Sequence, residues 1–207
     1  MRILLTGGSG GIGKSIIEEL SCEVISPPSN KLDLNKSLNT DELGVFDGFI
    51  HCAGVNFVKP YDQVNPDELS KLFQINTFSF LQLCSQIKFN DDANIVAVGS
   101  LYATHTKEGR IQYSMSKHAL LGAVKTLALE MSDRNIKVNM VSPGFVKTNM
   151  TLENNSIDRI NSLNDYIPLG MTKPKDIAKM CSFIINNNQS MTGQNIIIDG
   201  GYSLRNF

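Results

Sequence analysis

Three stretches of this sequence hold side chains whose types and spacing suit chemistry. Tyr113-Ser114-Met115-Ser116-Lys117 opens a long helical pattern and sets Tyr113 and Lys117 at i,i+4, on one helix face. A free tyrosine titrates near pH ~10. A neighbouring ammonium favours its phenolate, which brings Tyr113 closer to neutrality as a proton donor or acceptor. Upstream, Asn94-Ile95-Val96-Ala97-Val98-Gly99-Ser100 reads as a strand that delivers Ser100 at its carboxyl end, the edge where open α/β sheets bind ligands. Taken singly, Tyr113 is a part-buried tyrosine beside a solvated lysine and Ser100 an ordinary strand-end serine. The combination and its order carry the argument.

The third stretch is Thr6-Gly7-Gly8-Ser9-Gly10-Gly11-Ile12-Gly13-Lys14-Ser15, between a strand pattern and a helix pattern. Glycines there let the backbone turn sharply and bring a phosphate to the positive end of the helix. The same letters satisfy two phosphate-binding patterns. From Gly8 they spell G-x-x-x-x-G-K-S, a triphosphate loop in which Lys14 reaches the β/γ-phosphates and Ser15 holds magnesium. From Gly7 they give Gly-x-x-x-Gly-Ile-Gly, a relaxed dinucleotide fingerprint in which Lys14 and Ser15 are plain helix residues. A triphosphate enzyme also needs an aspartate after an apolar strand, and the one tidy candidate is Asp199, after Ile196-Ile197-Ile198. The loop alone leaves both patterns open.

These residues must be positioned by alternating elements. Apolar runs at Arg2–Thr6, Cys22–Ser26, Phe46–Cys52, Ala93–Gly99, Ile136–Val141 and Asn195–Ile198 read as strands. Helical spacing appears at Gly11–Leu20, Pro66–Ile87, Tyr113–Met131 and Pro174–Ile185, with Pro66 and Pro174 suited to first-turn positions. Alternation of uniformly apolar strands with helices implies a parallel sheet covered on both faces. The expected fold is therefore α/β, a single doubly wound Rossmann-type domain over residues 1–207. Between Pro27 and Gly44 there are too few residues before Asp33 for a crossover of about a dozen. The second crossover helix is expected to be missing or shortened, with Lys31–Leu34 reaching the sheet edge through a loop. Asn186-Asn187-Asn188 reads as a helix end.

Composition narrows the function classes. The 207 residues carry a formal net charge of −1, which supplies no broad electrostatic footprint for nucleic acid or a membrane surface. Cys22, Cys52, Cys84 and Cys181 show no metal or redox spacing and read as buried reduced thiols of a cytoplasmic protein. No metal site is expected. The N-terminus turns glycine-rich before a signal peptide or spanning helix can develop.

With those landmarks in order, the sequence resembles the short-chain dehydrogenase/reductase family over essentially its whole length. The matching elements are Thr6-Gly7…Gly11-Ile12-Gly13, Asp33-Leu34, Ala53-Gly54, Asn76, Ser100, Tyr113…Lys117, Pro143-Gly144…Thr148, Thr192-Gly193-Gln194 and Asp199-Gly200-Gly201. The run Val141–Met150 and the C-terminal segment look most like bacterial 3-oxoacyl-[acyl-carrier-protein] reductases. The resemblance implies a nicotinamide-dependent oxidoreductase that interconverts a ketone or 3-oxoacyl group and its alcohol. Tyr113 would exchange the proton, Lys117 would lower its pKa and bond the nicotinamide ribose, and Ser100 would orient the substrate oxygen. Asn76 would hold a water linking Lys117 to solvent. The implied cofactor contacts are Gly7, Ser9, Gly10, Gly11, Ile12 and Gly13 in the loop, then Ser29, Asp33 and Leu34 towards the adenine. Cys52, Ala53 and Gly54 follow, with Pro143, Gly144, Val146 and Thr148 along the nicotinamide beside Tyr113 and Lys117.

The sequence departs from the family where His51-Cys52 replaces the usual Asn-Asn before Ala53-Gly54. His51, ending an apolar strand, reads as a packed structural residue, and His105 and His118 as surface residues. No acidic residue follows the second strand in Ser26-Pro27-Pro28-Ser29-Asn30, which favours NADP(H) over NAD(H). Residues 150–173, with Thr151, Leu152, Ile157, Ile160, Leu163 and Tyr166, are a candidate substrate lid. The resemblance also implies a homodimer or homotetramer built through the long helix or the C-terminal strand region. Its partners would be a small carbonyl or acyl thioester substrate, without nucleic acid or membrane. A non-catalytic dinucleotide sensor is the competing reading, and the triphosphate enzyme a further one.

Overall fold

A computed structural model describes residues 1–36, 38, 40, 43–153 and 155–205. Six strands, β1 (Arg2–Thr6), β2 (Glu23–Ile25), β3 (Val45–His51), β4 (Lys88–Val98), β5 (Lys137–Pro143) and β6 (Asn195–Ile198), form one sheet in the order β2-β1-β3-β4-β5-β6. Every neighbouring pair is parallel. The chain leaves β1 in one direction for β2 and returns on its other side at β3, so the order reverses beside β1 and opens a crevice there.

Both faces are covered because alternate side chains must be buried on opposite sides. Ile3, Leu5, Ile50, Val96 and Val98 pack with Ile16 of α1 (Gly11–Glu19). Ile177, Cys181 and Ile184 of the last long helix join the same cluster. Leu4, Phe49, Ile95 and Ala97 face the other way, against Phe80, Leu83, Leu120 and Val124. Those partners come from α3 (Ser79–Gln86) and α4 (Ile111–Glu130), with α2 (Pro66–Phe73) preceding α3 in the chain. The remaining helices are α5 (Asn149–Glu153), α6 (Ile157–Tyr166) and α7 (Pro174–Asn187). Among the described residues no helix is long and apolar enough to cross a membrane.

The expected elements are present, with differences that have local causes. The segment Pro66–Ile87 is two helices joined by a π-helical turn, Gln74–Phe78. The wider turn leaves the Ile75 carbonyl to accept from His51 Nε2 (3.2 Å) and Ser79 Oγ (2.8 Å). Strand β4 starts at Lys88, before the expected Ala93, because Val45 pairs Lys88 and the polar Asn90–Asp92 forms an irregularity within the strand. Helix α4 begins at Ile111, two residues ahead of Tyr113.

The described part of the connection from β2 to β3 holds turns and no helix, as expected, but its course differs from the expectation. Rather than reaching the sheet edge, it folds back over one face, where Leu32 and Leu38 are buried with Leu4 and Phe46. Two apolar side chains thus replace part of the surface a crossover helix would cover. Cys84 and Cys181 are buried thiols, whereas Cys22 and Cys52 are only partly so.

Candidate active site

The glycine loop is shaped by close packing against β3. Gly7 has φ +73°, and a Cβ there would stand 2.6 Å from the Ala53 nitrogen. A Cβ on Gly13 would stand 2.1 Å from the Gly7 carbonyl oxygen, so α1 can begin directly over the turn only without side chains. Gly10 caps the helix with backbone alone, and no acidic residue occupies the first turn. The first N–H groups therefore lack a side-chain acceptor and present the positive end of the helix dipole. Ser9, Gly10 and Gly11 are exposed on this turn. Gly11 adjoins Thr148, whose methyl would lie 3.1 Å from an added Cβ.

Above the crevice, an open cleft with ≈ 860 Å³ of free space is lined at one end by Ile12, Cys52, Ala53 and Gly54 and by Pro143, Gly144, Val146 and Thr148. Ser100, Tyr113 and Lys117 line its centre. Eleven of the expected site residues thus meet in one cavity, supplied by strand ends and helix starts. Ser29, Asp33, Leu34 and Asn76 lie outside its walls. Ser29 is exposed, and the Asp33 carboxylate accepts from the Asn35 backbone and side chain, both at 3.0 Å. Leu34 gives its carbonyl to Gln74 at 3.0 Å.

Asn76 is fully buried and fixed by its side chain. Its side-chain amide is spent on protein: Oδ1 accepts from the Val55 N–H (2.8 Å), and Nδ2 donates to the Val55 carbonyl (3.0 Å) and Ser116 Oγ (3.1 Å). Asn76 thus ties the β3 exit to α4. His51 is fully buried, accepting from the Thr6 hydroxyl (2.9 Å) and donating to Ile75. Burial and the nearby Lys117 ammonium push it down to about 3, so it is a neutral packed residue, as its strand-end position suggests.

Ser100 follows β4 in extended backbone, accepts from the Tyr102 N–H (3.2 Å) and lies close enough to Tyr113 to lower its pKa. Lys117 is buried, donates to the Val98 carbonyl at 3.1 Å, and places Nζ 5.7 Å from the Tyr113 ring centroid. Burial pushes Lys117 down to about 8. Burial also pushes Tyr113 up to about 12, against the lowering effects of Ser100 and Arg110. Desolvation of the phenolate is thus the largest influence on Tyr113 in the protein alone, in the direction opposite to the one expected from Lys117.

Sequence reading missed several cleft residues. Tyr102, Arg110, Phe145 and Asn155 line it, and Tyr102 packs edge-to-face on Tyr113 with ring centroids 6.1 Å apart. Arg110 had one signal in the sequence, its position three residues before Tyr113 and hence on the same side of the helix start. The triphosphate alternative fails on topology. Asp199 follows β6, separated from β1 by three strands, and its carboxylate accepts from the N–H groups of Gly201 (2.9 Å) and Ser203 (2.8 Å).

Comparison with known proteins bears on this geometry directly. A family model described as enoyl-(acyl carrier protein) reductase matches residues 30–203. A short chain dehydrogenase family protein from Francisella tularensis superposes with TM-score 0.89 at 27% identity, covering 99% of each chain. The chain belongs to the short-chain dehydrogenase/reductase family. It is accordingly an oxidoreductase of the kind that interconverts CH–OH and C=O groups. The 3-oxoacyl-[acyl-carrier-protein] reductase of Buchnera aphidicola is 28% identical, covering 96% of this chain and 95% of its own. That alignment runs over 234 positions against a chain of 207, so at least 27 of them (234 − 207) face gaps in this short-chain dehydrogenase/reductase. The 4-hydroxyisoleucine dehydrogenase complexed with NADH superposes with TM-score 0.83 at 26% identity, over 98% of each chain.

Proposed function

We propose that this short-chain dehydrogenase/reductase reduces a ketone or 3-oxoacyl group to the alcohol, or runs the reverse, with a nicotinamide dinucleotide. The observation that carries the reading is the meeting of Ser100, Tyr113 and Lys117 in one cleft above an uncapped glycine-loop helix. The residues present fit the cofactor: the bare N-terminus of α1 suits a pyrophosphate, and Ala53-Gly54 and Pro143-Gly144 leave room for a flat ring. Gly54 sits beside Asn76 and Lys117, where an added Cβ would stand 3.4 Å from Asn76 Oδ1 and 3.8 Å from Lys117 Nζ. Relatives of this fold that bind NADH support the same reading.

When bound, the nicotinamide supplies or accepts the hydride. The protein's own residues handle the rest. Ser100 Oγ and the Tyr113 hydroxyl, neighbours in the cleft, would converge on a carbonyl oxygen bound there. As the carbonyl carbon gains hydride, its oxygen takes the Tyr113 proton, and the developing charge is met by two hydroxyl donors and the Lys117 ammonium. The high pKa of Tyr113 keeps it protonated before reduction, as a general acid must be.

The cofactor-binding set would be Gly7, Ser9, Gly10, Gly11, Ile12 and Gly13, with Cys52, Ala53, Gly54, Pro143, Gly144, Val146 and Thr148. Ser29, Asp33 and Leu34 would lie towards the adenine. The absence of an acid in Ser26–Asn30 supports NADP(H) over NAD(H). Residues 150–173 would close over the substrate: Met150, Thr151 and Asn155 already line the cleft, while Leu163 anchors the segment through a small cluster with Leu101, Ile167, Met171 and Tyr202. We place self-association on α4, whose Ile111, Met115 and Leu129 are exposed.

Thermal melts with NADPH, NADH and Mg-ATP at equal concentrations test the reading, since specific binding raises stability by mass action. Stabilisation by either nicotinamide nucleotide is expected. Stabilisation by Mg-ATP alone, or by none of the three, would sink the reductase assignment.

A further inference from the structure

Three cations are buried in the described structure: Arg110, Lys117 and Lys137. Two of them have partners. Lys117 donates to the Val98 carbonyl, and Lys137 has the Asp92 carboxylate at 3.8 Å. Arg110, only 8% exposed, has neither: among the described residues no carboxylate stands within ion-pair distance and no acceptor takes a hydrogen bond from its guanidinium. An unpaired buried charge costs several kcal/mol, so a fold keeps one where an anion is to be met.

Arg110 lines the cleft together with Tyr102, Phe145 and Asn155, and its charge is felt at Tyr102. Arg110 caps α4 three positions before Tyr113, which directs both side chains to the same side of the helix start. The buried hydroxyl of Tyr102 also has no hydrogen-bond partner. A free donor and a free cation therefore line the same cleft, near each other. Two exposed cations, Lys107 and Arg159, extend the positive field: Lys107 feels both Arg159 and Arg110, and Tyr102 feels Arg110 and Arg159, with Glu108 the opposing charge beside Lys107.

We infer that the carbonyl substrate carries an anionic group, a carboxylate or a phosphoryl group, which Arg110 holds with the Tyr102 hydroxyl while its carbonyl faces Ser100 and Tyr113. Guanidinium forks match either anion bidentately. The inference rests on the reductase reading for the carbonyl end and on Arg110 for the anionic end.

The two ends are separated by measuring levulinate, its neutral methyl ester and 2-oxopropylphosphonate, by thermal stabilisation in the presence of NADPH or NADH and by cofactor oxidation. In the unmodified protein, one of the anions is expected to stabilise and to be reduced with kcat/KM at least 100-fold above methyl levulinate; which anion does so tells carboxylate from phosphoryl. In Arg110→Gln that ratio should fall about 100-fold, chiefly through KM, and the stabilisation should vanish, while Arg110→Lys recovers part of both. Arg110-dependent stabilisation without cofactor oxidation on any ketone would leave the anion site standing and remove the reductase reading. Equal handling of ester and anions, or an equal loss on both in Arg110→Gln, would overturn the anion site and leave the reductase reading intact.

Discussion

Lys117 Nζ stands over the Tyr113 ring, 5.7 Å from its centre, while it donates to the Val98 carbonyl at 3.1 Å. Their helix spacing guarantees proximity, but the approach is decided by the strand end beneath them. Each is held away from its charged form by burial, Lys117 at about 8 and Tyr113 at about 12. The protein stores a charge that wants to leave and a proton that does not.

Stability should register the stored charge. Lys117 titrates lower in the folded protein than its ordinary 10.5, so between pH 8 and 10.5 the unfolded chain binds more protons and stability rises with pH. Below pH 8 the full cost of a buried ammonium is present, about 3 kcal/mol. Lys117→Met removes that cost and strands the Val98 carbonyl, which returns about 1 kcal/mol. The variant should be inactive yet more stable than the parent by about 2 kcal/mol at pH 7, with the gain shrinking by pH 10. Urea melts at the two pH values check this; a variant less stable at pH 7 would show that Lys117 is a structural pillar instead.

His51 has the opposite consequence, in acid. Its folded pKa of about 3 lies below the ordinary 6.5, so the unfolded chain takes up the proton first and stability falls as pH drops from 6.5 towards 3. The slope is about 1.4 kcal/mol per pH unit for this one group. Between pH 6.5 and 4.5, where few carboxylates titrate, His51→Asn should flatten the decline. Urea midpoints at pH 6.5, 5.5 and 4.5 measure it, and an unchanged slope in the variant would relieve His51 of the role.

Much of this was legible because it depends on local pattern. Alternating apolar runs gave the strands of a parallel sheet, and glycines gave the turn into α1, since both follow from sterics within a few residues. The Ser100, Tyr113 and Lys117 constellation was legible because two of its members share a helix and the third ends a strand. What escaped depends on the environment. The side-chain bonds of Asn76 depend on a π-helical turn that apolar spacing does not announce, and the pKa of Tyr113 on how deeply its ring sinks between Tyr102 and Lys117. Arg110 was invisible as a buried cation because arginine is ordinarily exposed. Leu32 and Leu38 could not be placed without knowing which sheet face lacked a helix.

Two glycine substitutions should part in sign. Gly13→Ala forces a methyl to 2.1 Å from the Gly7 carbonyl, backbone that cannot step aside without opening the loop. It should cost about 2–3 kcal/mol, on the scale of overpacking, and abolish stabilisation by nicotinamide nucleotides. Gly122, inside α4, would meet nothing within 4 Å. Gly122→Ala should raise stability by about 0.5–1 kcal/mol through helix propensity and a less flexible unfolded chain. Melting curves with and without NADPH and NADH decide both; a Gly13→Ala protein that still binds either nucleotide would show that the tight start of α1 is dispensable.

Removing one oxygen from the centre of the cleft is the sharpest division between binding and chemistry. Tyr113→Phe keeps the ring that packs edge-to-face on Tyr102 and under the Lys117 ammonium, so the fold and the cofactor contacts of the glycine loop stay as they are. It deletes the proton donor beside Ser100. General acid catalysis is worth about 10²–10⁴-fold, and the second hydroxyl donor to the developing oxyanion is lost with it. Turnover of a ketone should therefore drop by about 10³-fold or more, in kcat, while thermal stabilisation by the preferred nicotinamide nucleotide is retained. Cofactor oxidation followed at 340 nm in Tyr113→Phe, beside its melting curve with cofactor, reads both quantities. Retained turnover would remove Tyr113 from the chemistry, and lost stabilisation would place it in cofactor binding instead.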